Sequence, residues 1–152
     1  MNAQKLTVCL VCSHGGHLTE LLLMKPAYEA HNWFLITYDC ERTRALGCRK
    51  YLVPHFPRNV LKALSAAWIM WRAFWRERPD VVVSTGSEPA LIAFFWALLF
   101  CARRVFIEIT AQFDTPTLTG RLLYPVSNRF YVQNKETLAA YGPRAEFHGG
   151  LL

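Results

Sequence analysis

The stretch that decides the fold is Leu6–Cys12, which reads LTVCLVC and is followed directly by Ser13-His14-Gly15-Gly16-His17. Seven consecutive β-prone, apolar residues are typical of a strand buried on both faces of a parallel sheet. The Gly-Gly pair then leads into Leu18–Tyr28, where apolar residues recur at helical spacing. This start predicts a strand, a glycine turn at its carboxyl end, and a helix.

Strands and helices alternate along the rest of the chain. Further strands are predicted at Trp33–Tyr38, Tyr51–Val53, Asp80–Ser84, Val105–Ile109 and Arg129–Gln133, and further helices at Arg58–Arg78, Pro89–Cys101, Thr119–Pro125 and Lys135–Tyr141. Such alternation predicts a parallel sheet with helices on both faces. Because no repeat, low-complexity tract or linker interrupts it, residues 1–152 are predicted to form a single Rossmann-like α/β domain.

The composition is apolar and basic. Hydrophobic residues make up 53% of the chain, against about 45–50% in typical soluble domains, and the net charge is +6. This balance suits an anionic partner, such as nucleic acid, an acidic membrane or a phosphorylated substrate. The cationic residues alternate with tryptophans on helices and form no nucleic-acid reading motif, so we expect no nucleic-acid partner.

The cysteines do not indicate a metal site. Cys9 and Cys12 have C-x-x-C spacing but lie inside the first predicted strand, whereas a redox or zinc pair would need a turn or a helix N-terminus there. Buried thiols in a reducing compartment are the favoured interpretation. We expect neither a metal nor a cofactor.

Ligands of open parallel sheets bind at the carboxyl ends of the strands, and the first such loop carries the strongest signal. Amides of Gly15 and Gly16 at a helix N-terminus would form an anion site, although the spacing fits neither the nicotinamide nor the Walker fingerprint. His14 and His17 flank the glycines and would donate to a phosphate or act as a general base. The alternative is a tight turn with two incidental histidines.

Two other loops at this edge are candidates. Ser84–Pro89 repeats the order of strand, small-residue turn and helix N-terminus, although Glu88 would also suit simple helix capping. Glu108 ends an apolar strand and would hydrogen-bond a sugar hydroxyl or orient a loop. A structural carboxylate in the core is the alternative reading of Glu108.

The helix Arg58–Arg78 is rich in tryptophan and arginine. Helices of this composition suit the headgroup boundary of an anionic membrane, with packing on the sheet or on a partner protein as alternatives. The predicted membrane contacts are Trp68, Trp71, Trp75, Arg72 and Arg76.

No part of the sequence predicts a span or a signal peptide. The apolar stretch near the start is too short for a signal-peptide core, and Pro89–Ala102, the longest uncharged run, is shorter than the roughly 20 residues that cross a bilayer. We therefore expect a cytoplasmic chain that touches the membrane from one side.

Five segments together resemble one known family, and they run nearly the whole length of the chain in order. They are Val11–Glu20, Val83–Pro89, Ile107-Glu108, Thr115–Pro125 and Phe130–Gln133. The chain resembles the membrane-docking subunit of split UDP-sugar glycosyltransferases, which includes a eukaryotic subunit of dolichol-linked sugar assembly and bacterial PssD-like exopolysaccharide proteins. The string Leu-Thr-Gly-Arg-Leu-Leu-Tyr-Pro is the most specific part, whereas the Gly-Gly-His loop is shared with the broader GT-B transferases.

The resemblance implies a domain similar to the N-terminal half of a GT-B enzyme. This half would hold a polyprenyl-diphosphate-linked sugar acceptor, while a separate catalytic subunit would bind the UDP-sugar, and the chain would be inactive alone. The residues implied for catalysis are His14, His17 and Glu108. Those implied for the acceptor diphosphate are Ser13, Gly15, Gly16, Gly86, Ser87 and Arg121, and those for partner docking are Gly149, Gly150, Leu151 and Leu152.

Two functions therefore stay open at this stage. In the first, the chain contributes half of an active site in bacterial exopolysaccharide or capsule assembly, attached peripherally to the inner face of the plasma membrane. In the second, it is a scaffold that recruits the catalytic subunit to the membrane and contributes nothing to the active site.

Overall fold

The computed structural model describes residues 4–111 and 115–151, which contain one seven-stranded sheet. The strands are β1 (Thr7–Val11), β2 (Asn32–Tyr38), β3 (Lys50–Val53), β4 (Val81–Ser84), β5 (Arg103–Ile107), β6 (Arg129–Val132) and β7 (Ala145–Phe147). The helices are α1 (Gly16–Leu23), α2 (Lys25–Tyr28), α3 (Glu41–Arg44), α4 (Val60–Glu77), α5 (Glu88–Leu99), α6 (Leu118–Leu123) and α7 (Lys135–Tyr141), and a 3-10 turn covers Tyr124–Val126.

The strand order is β3-β2-β1-β4-β5-β6-β7, and every neighbouring pair is parallel. The order reverses between β1 and β4, which makes their carboxyl ends the topological switch point where such sheets form a ligand crevice. The predicted fold class is confirmed. Two elements were missed, α3 and β7, because four and three residues are too few to show a periodicity.

The larger core lies between the first face of the sheet and the helices α4 and α5. The buried side chains of α4 are Ala66, Met70, Ala73 and Phe74, so small residues let the helix approach the sheet closely. The aromatic stripe of α4 points the other way: Trp68 and Trp75 are more than half exposed. Packing on the sheet therefore does not account for the tryptophans.

The second face is covered unevenly. Helices α1 and α2 bury Leu10, Leu35 and their neighbours over β1 and β2. Over β4 to β6, the side chains of Val83, Val105 and Tyr131 line an apolar groove bordered by α2. Since parallel sheets are normally buried on both faces, this part of the sheet is less covered than the fold usually requires.

Candidate active site

The loop between β1 and α1 is open to solvent at its glycines. Gly15 has φ +78°, a left-handed conformation that glycine adopts without the steric cost of a Cβ atom. An added Cβ at Gly15 or Gly16 would meet no atom within 4 Å, so the loop faces free space. The first N–H groups of a helix have no partner within the helix itself, so the start of α1 suits an external anion.

His17 is held in one orientation by the neighbouring loop after β4. Its Nδ1 lies 2.8 Å from the carbonyl oxygen of Thr85, and the Thr85 hydroxyl donates to the His17 carbonyl at 2.9 Å. Because a carbonyl oxygen only accepts, Nδ1 must carry the proton. The neutral ring then has its lone pair on Nε2, for which the described residues provide no hydrogen-bond partner.

The loop after β4 adopts an uncommon backbone conformation. Gly86 has φ +107°, and a Cβ there would lie 3.5 Å from the His17 ring. Ser87 has φ 75° and ψ 174°, a region that is essentially restricted to glycine and costs other residues about 1–3 kcal/mol. Strain of this kind persists only where the surrounding structure imposes it.

Four side chains from four elements meet beside Gly15. The His14 ring lies 5.9 Å from the Tyr38 ring and 5.8 Å from the His55 ring, both edge-on, and Tyr38 and His55 are 4.7 Å apart. The buried Tyr38 hydroxyl donates to Glu88 Oε2 at 3.2 Å, and Ser87 Oγ donates to the same oxygen at 2.6 Å. We call His14, Tyr38, His55 and Glu88 the histidine–glutamate cluster.

The pKa values in this cluster favour a charged Glu88. Hydrogen bonds from Ser87 and then Tyr38, together with the charge of His55, hold the pKa of the Glu88 carboxyl below its usual value. Burial, with the nearby Glu88 carboxylate, raises the pKa of the Tyr38 phenol. At neutral pH Tyr38 is therefore a neutral donor beneath an ionised carboxylate.

A cation also contacts the glycine loop. Arg42, on α3, donates to the Gly15 carbonyl oxygen at 3.3 Å and to Thr19 Oγ1 at 2.9 Å. Its guanidinium is exposed, so it adds positive charge at the rim of the loop. No local sequence pattern predicts this contact, since Arg42 and Gly15 are 27 positions apart.

Unlike the open loops after β1 and β4, the carboxyl ends of β5 and β6 carry buried polar groups. Glu108 is 1% exposed and accepts from Thr117 Oγ1 at 3.0 Å, from the Ile109 amide at 3.3 Å and from the Tyr141 hydroxyl. Gly120, in α6, packs against the same groups: a Cβ there would fall on the Tyr141 hydroxyl and the Glu108 carboxyl. Glu108 therefore fixes α6 and α7 to the end of β5.

A second carboxylate extends this arrangement. Glu20, buried on α1, accepts from Gln133 Nε2 at 2.6 Å and from the Thr110 amide at 3.1 Å, and Gln133 Nε2 also donates to the Glu108 carbonyl at 2.9 Å. We call Glu20, Glu108, Thr117, Gln133 and Tyr141 the carboxylate network. A charged residue next to Leu18 and Leu21 on the buried side of α1 was the sequence signal that could have pointed to Glu20.

Other predicted site residues lie apart from the open loop. Ser13 is buried, and its hydroxyl donates to the His14 carbonyl at 3.2 Å. Arg121 is exposed on α6, and the described part of the chain gives it no hydrogen bond to Glu108 or to the glycine loop. Both assignments stay predictions.

The tail folds back onto the end of β6. The Leu151 amide donates to Gln133 Oε1 at 3.0 Å, and Gly149, Gly150 and Leu151 line a groove with Tyr131. That groove shares Met24, Ile107 and Tyr131 with the apolar groove of the second sheet face. Leu152, also predicted to dock the partner, lies outside the described residues.

The exposed apolar surface is wider than the sequence predicted. Trp68 is 59% and Trp75 57% exposed, while Trp71 is half-buried and stacks on Trp68 at 4.7 Å. Arg72 and Arg76 are exposed beside them. Helices α4, α5 and α6 lie side by side and add further exposed apolar residues, namely Val60, Leu61, Leu64, Phe95, Leu98, Leu99, Leu118 and Leu122. None of the described helices has the length and apolar character needed to cross a membrane.

Cys9 and Cys12 are free, buried thiols. Burial raises the pKa of Cys12 to about 12 and raises that of Cys9 as well, so both remain neutral at physiological pH. A groove of about 710 Å³ lies at the amino edge of the sheet, between the ends of α4 and α5. It is remote from the glycine loop, which is an open surface instead of an enclosed pocket.

Comparison with known proteins identifies the family. The family described as "Oligosaccharide biosynthesis protein Alg14 like" matches residues 48–151, more than half of the chain. The chain belongs to this Alg14 family. The sequence resemblance to the eukaryotic transferase subunit is thereby confirmed.

Curated relatives of this Alg14-family chain carry the name "UDP-N-acetylglucosamine transferase subunit ALG14". The protein of Yarrowia lipolytica is 28% identical over 78% of this chain and 54% of its own length. That of Homo sapiens is 22% identical over 86% of this chain and 76% of its own length. The chain thus spans about half of the Yarrowia protein.

Solved structures confirm the fold. MurG of Acinetobacter baumannii superposes with a TM-score of 0.79 at 16% identity, over 97% of this chain and 46% of MurG. The UDP-N-acetylglucosamine 2-epimerase of Rickettsia bellii gives 0.74 at 12% identity, over 97% of this chain and 46% of the epimerase. At these identities the likeness concerns the fold alone, and it agrees with the predicted N-terminal half of a GT-B enzyme.

Proposed function

We propose that this chain is the acceptor-binding, membrane-docking subunit of a two-component UDP-sugar glycosyltransferase. It binds a polyprenyl-diphosphate-linked sugar at the loops after β1 and β4 and recruits a separate donor-binding subunit. The observation that carries the proposal is the open Gly15–Gly16 loop at the topological switch point, with His17 fixed beside it by Thr85. The chain's membership of the Alg14 family, described as oligosaccharide biosynthesis proteins, supports a sugar acceptor as the ligand.

The loop has the properties that a diphosphate requires. The space around Gly15 and Gly16 is open, and the N–H groups at the N-terminus of α1, together with the helix dipole, favour an anion there. Arg42 contributes a cation at the rim, and His14 is exposed next to Gly15. Gly86 and Ser87 border the same opening through the His17–Thr85 contact.

His17 is the better general base of the two histidines. Its Nδ1–H bond to Thr85 orients the ring and leaves the lone pair on Nε2. In the proposed reaction the acceptor hydroxyl oxygen bonds to the anomeric carbon of the donor sugar, its proton moves to Nε2, and the bond from that carbon to UDP breaks. His14 has no comparable anchor among the described residues, so we assign it to ligand binding.

Glu108 acts as a positioning residue in this proposal. Its carboxyl group is buried and is engaged by Thr117 and Tyr141, so it does not reach the open loop as a reacting group. It holds α6 against the sheet, and α6 carries Arg121. Arg121 is proposed to contact the diphosphate from the rim once the second subunit closes the site.

The surface of α4, α5 and α6 is proposed to dock on the membrane. Its exposed tryptophans and leucines suit the headgroup boundary, and Arg72 and Arg76 suit an anionic surface. The lipid tail of the acceptor would stay in the membrane while the diphosphate reaches the glycine loop. Peripheral attachment to the inner face of a bacterial plasma membrane, in exopolysaccharide or capsule assembly, is part of the proposal and is supported by the sequence resemblance.

The second subunit is proposed to cover the tail and the apolar groove beside it. The groove leaves part of a parallel sheet exposed, a condition that a partner would relieve. The open character of the glycine loop also fits a site whose other wall comes from another polypeptide. The comparison with MurG supports this proposal, because this chain corresponds to less than half of the length of MurG.

The test is a reconstituted transfer assay with the donor-binding subunit, anionic vesicles, a polyprenyl-diphosphate-linked acceptor and UDP-N-acetylglucosamine. We expect transfer only when both subunits are present. His17→Asn keeps a side-chain N–H near the Thr85 carbonyl but removes Nε2, and we expect it to lower the rate about 100-fold or more. Lys5→Gln, an exposed residue just before β1 at the amino edge of the sheet, is the control and should transfer normally.

The same assay distinguishes the proposed active-site role from the scaffold alternative. A scaffold that only recruits the partner would retain transfer in His17→Asn and in His14→Ala. Transfer at enzyme-like rates by this chain alone would refute the split-enzyme proposal altogether.

Membrane docking is tested separately by co-sedimentation with vesicles that contain anionic lipid. Each of Trp68→Ala and Trp75→Ala is expected to weaken binding about tenfold, from the loss of roughly 1.5 kcal/mol of apolar burial. Leu23→Ala is a matched control, because Leu23 is 47% exposed on α1, away from this surface. Equal losses in all three variants would contradict docking through α4.

A further inference from the structure

We propose that the histidine–glutamate cluster is the subsite for the sugar ring of the acceptor, next to its diphosphate. This inference rests on the proposed function and deepens it, since it names the residues that would recognise the sugar. Tyr38 and His55 had no role in the sequence predictions, and Glu88 entered them only as part of the Ser84–Pro89 loop and as a helix cap. The convergence of these residues with His14 appears only in the folded chain.

The cluster is assembled from loops at the carboxyl ends of four adjacent strands. His14 follows β1, Tyr38 ends β2, His55 follows β3, and Glu88 begins α5 after β4. His14, His55 and Glu88 are exposed, whereas Tyr38 is 2% exposed and lies beneath them. The cluster therefore has a buried support and an accessible rim, as a binding subsite requires.

Charge decides which part of the acceptor this rim would take. A carboxylate repels a diphosphate but accepts hydrogen bonds from hydroxyl or amide N–H groups, and such charge-assisted bonds are roughly twice as strong as neutral ones. Glu88 is therefore unsuited to the anionic end of the ligand and suited to a sugar. Tyr38 and Ser87 both donate to Oε2, and we propose that a sugar hydroxyl donates to the exposed side of the same carboxylate.

The imidazoles complete the recognition chemistry. His14 and His55 stand edge-on, 5.8 Å apart, and each offers ring nitrogens for hydrogen bonds and an apolar ring surface for the C–H groups of a sugar. His14 also immediately precedes Gly15. A sugar bound by the cluster would therefore lie next to a diphosphate bound on the glycine loop, as the two groups do in one acceptor molecule.

The backbone supports the same conclusion. Ser87 occupies a conformation that is nearly restricted to glycine, and its hydroxyl lies 2.6 Å from Glu88 Oε2. Retaining serine there keeps the hydrogen bond that orients Glu88. Strained residues cluster at binding sites, where the strained backbone holds a functional side chain in a fixed orientation.

The experiment compares two kinds of probe on the full chain in detergent by calorimetric titration. One probe is farnesyl diphosphate, and the others are its conjugates with glucose, galactose and N-acetylglucosamine. We expect at least one conjugate to bind about tenfold more tightly than farnesyl diphosphate. Glu88→Gln should reduce this advantage to about threefold or less, and His55→Ala with Glu88→Gln should reduce it to about one, while the affinity for farnesyl diphosphate stays unchanged.

The unchanged affinity for farnesyl diphosphate shows that the variants fold, and Glu29→Gln, an exposed glutamate on the far side of the molecule, serves as the matched control. The subsite is overturned if no conjugate binds more tightly than farnesyl diphosphate, or if the variants weaken all probes equally. Failure of the wild-type chain to bind farnesyl diphosphate at all would instead overturn the proposed function, and the subsite with it.

Discussion

Two regions share the carboxyl edge of the sheet and use polar residues in opposite ways. The loops after β1 and β4 are exposed at Gly16 and Glu88, contain φ values near +75° to +107°, and leave His17 Nε2 without a partner in the described residues. The carboxylate network after β5 and β6 is buried, and Glu20 and Glu108 each accept several hydrogen bonds. The first region is the one we propose to bind a ligand, and the second holds α1, α6, α7 and the tail in place.

The comparison also separates two glutamates that a sequence cannot tell apart. Glu88 and Glu108 both follow strands at the same edge, but Glu88 is exposed and Glu108 is 1% exposed. A buried polar group stabilises the fold only while its partners are in place, because each partner left unpaired costs about 1–3 kcal/mol. Substitutions in the two regions should therefore affect different measurements.

The largest effect on stability is expected for Glu108→Ala. It leaves the half-buried hydroxyls of Tyr141 and Thr117 without this acceptor, which should lower the free energy of unfolding by about 3–5 kcal/mol. Urea denaturation measures the loss, and Glu108→Gln, which retains one carbonyl oxygen, should lose less. Normal stability combined with loss of transfer would show that Glu108 acts on substrate. The contrast between the glycine loop and a purely structural carboxylate network would then be wrong.

Gly120→Ala should have the next largest effect on stability. The added Cβ falls on the Tyr141 hydroxyl and the Glu108 carboxyl, and overpacking of this kind costs about 1–3 kcal/mol. Adding Tyr141→Phe removes one of the clashing atoms and should recover part of the loss. Gly47→Ala is the matched control, because its Cβ would meet nothing within 4 Å and stability should hold.

The loop after β4 should respond in the opposite direction. Ser87→Gly relieves a strained conformation but loses the hydrogen bond to Glu88, and we expect a net gain of about 1 kcal/mol in the free energy of unfolding. Ser87→Ala keeps the strain, loses the bond and should destabilise the protein. If glycine destabilised the chain as much as alanine, the backbone at Ser87 would not be strained.

The smallest effect concerns pH. Because the pKa of Glu88 is lowered from 4.5 in the folded chain, its contribution to stability is present above that pH and disappears as the pH falls through the lowered value. The difference in unfolding free energy between wild type and Glu88→Gln should therefore shrink below about pH 4.5. Chemical denaturation of both proteins at pH 7, 4 and 3 measures this difference. A difference that grew in acid would contradict the lowered pKa of Glu88.

The candidate site was predictable wherever one short segment held all its parts. Gly15, Gly16 and His17 follow a buried strand and begin a helix, so local pattern alone placed them at the carboxyl edge. Tyr38 and His55 were missed although each stands at the end of a predicted strand, because their sequence context carries no glycine turn. Polar residues at every strand end, including β2 and β3, were the available signal.

The alternation of strands and helices, and with it a parallel sheet whose loops converge at one edge, follows from the amino-acid sequence alone. That information is local, since hydrophobic periodicity and turn residues act within a few positions. The tertiary structure alone decided the strand order, the burial of Glu108, the need for Gly120 and the meeting of His14 with His55. These features depend on contacts between residues that are distant in sequence and become neighbours only when the strands pair into the sheet.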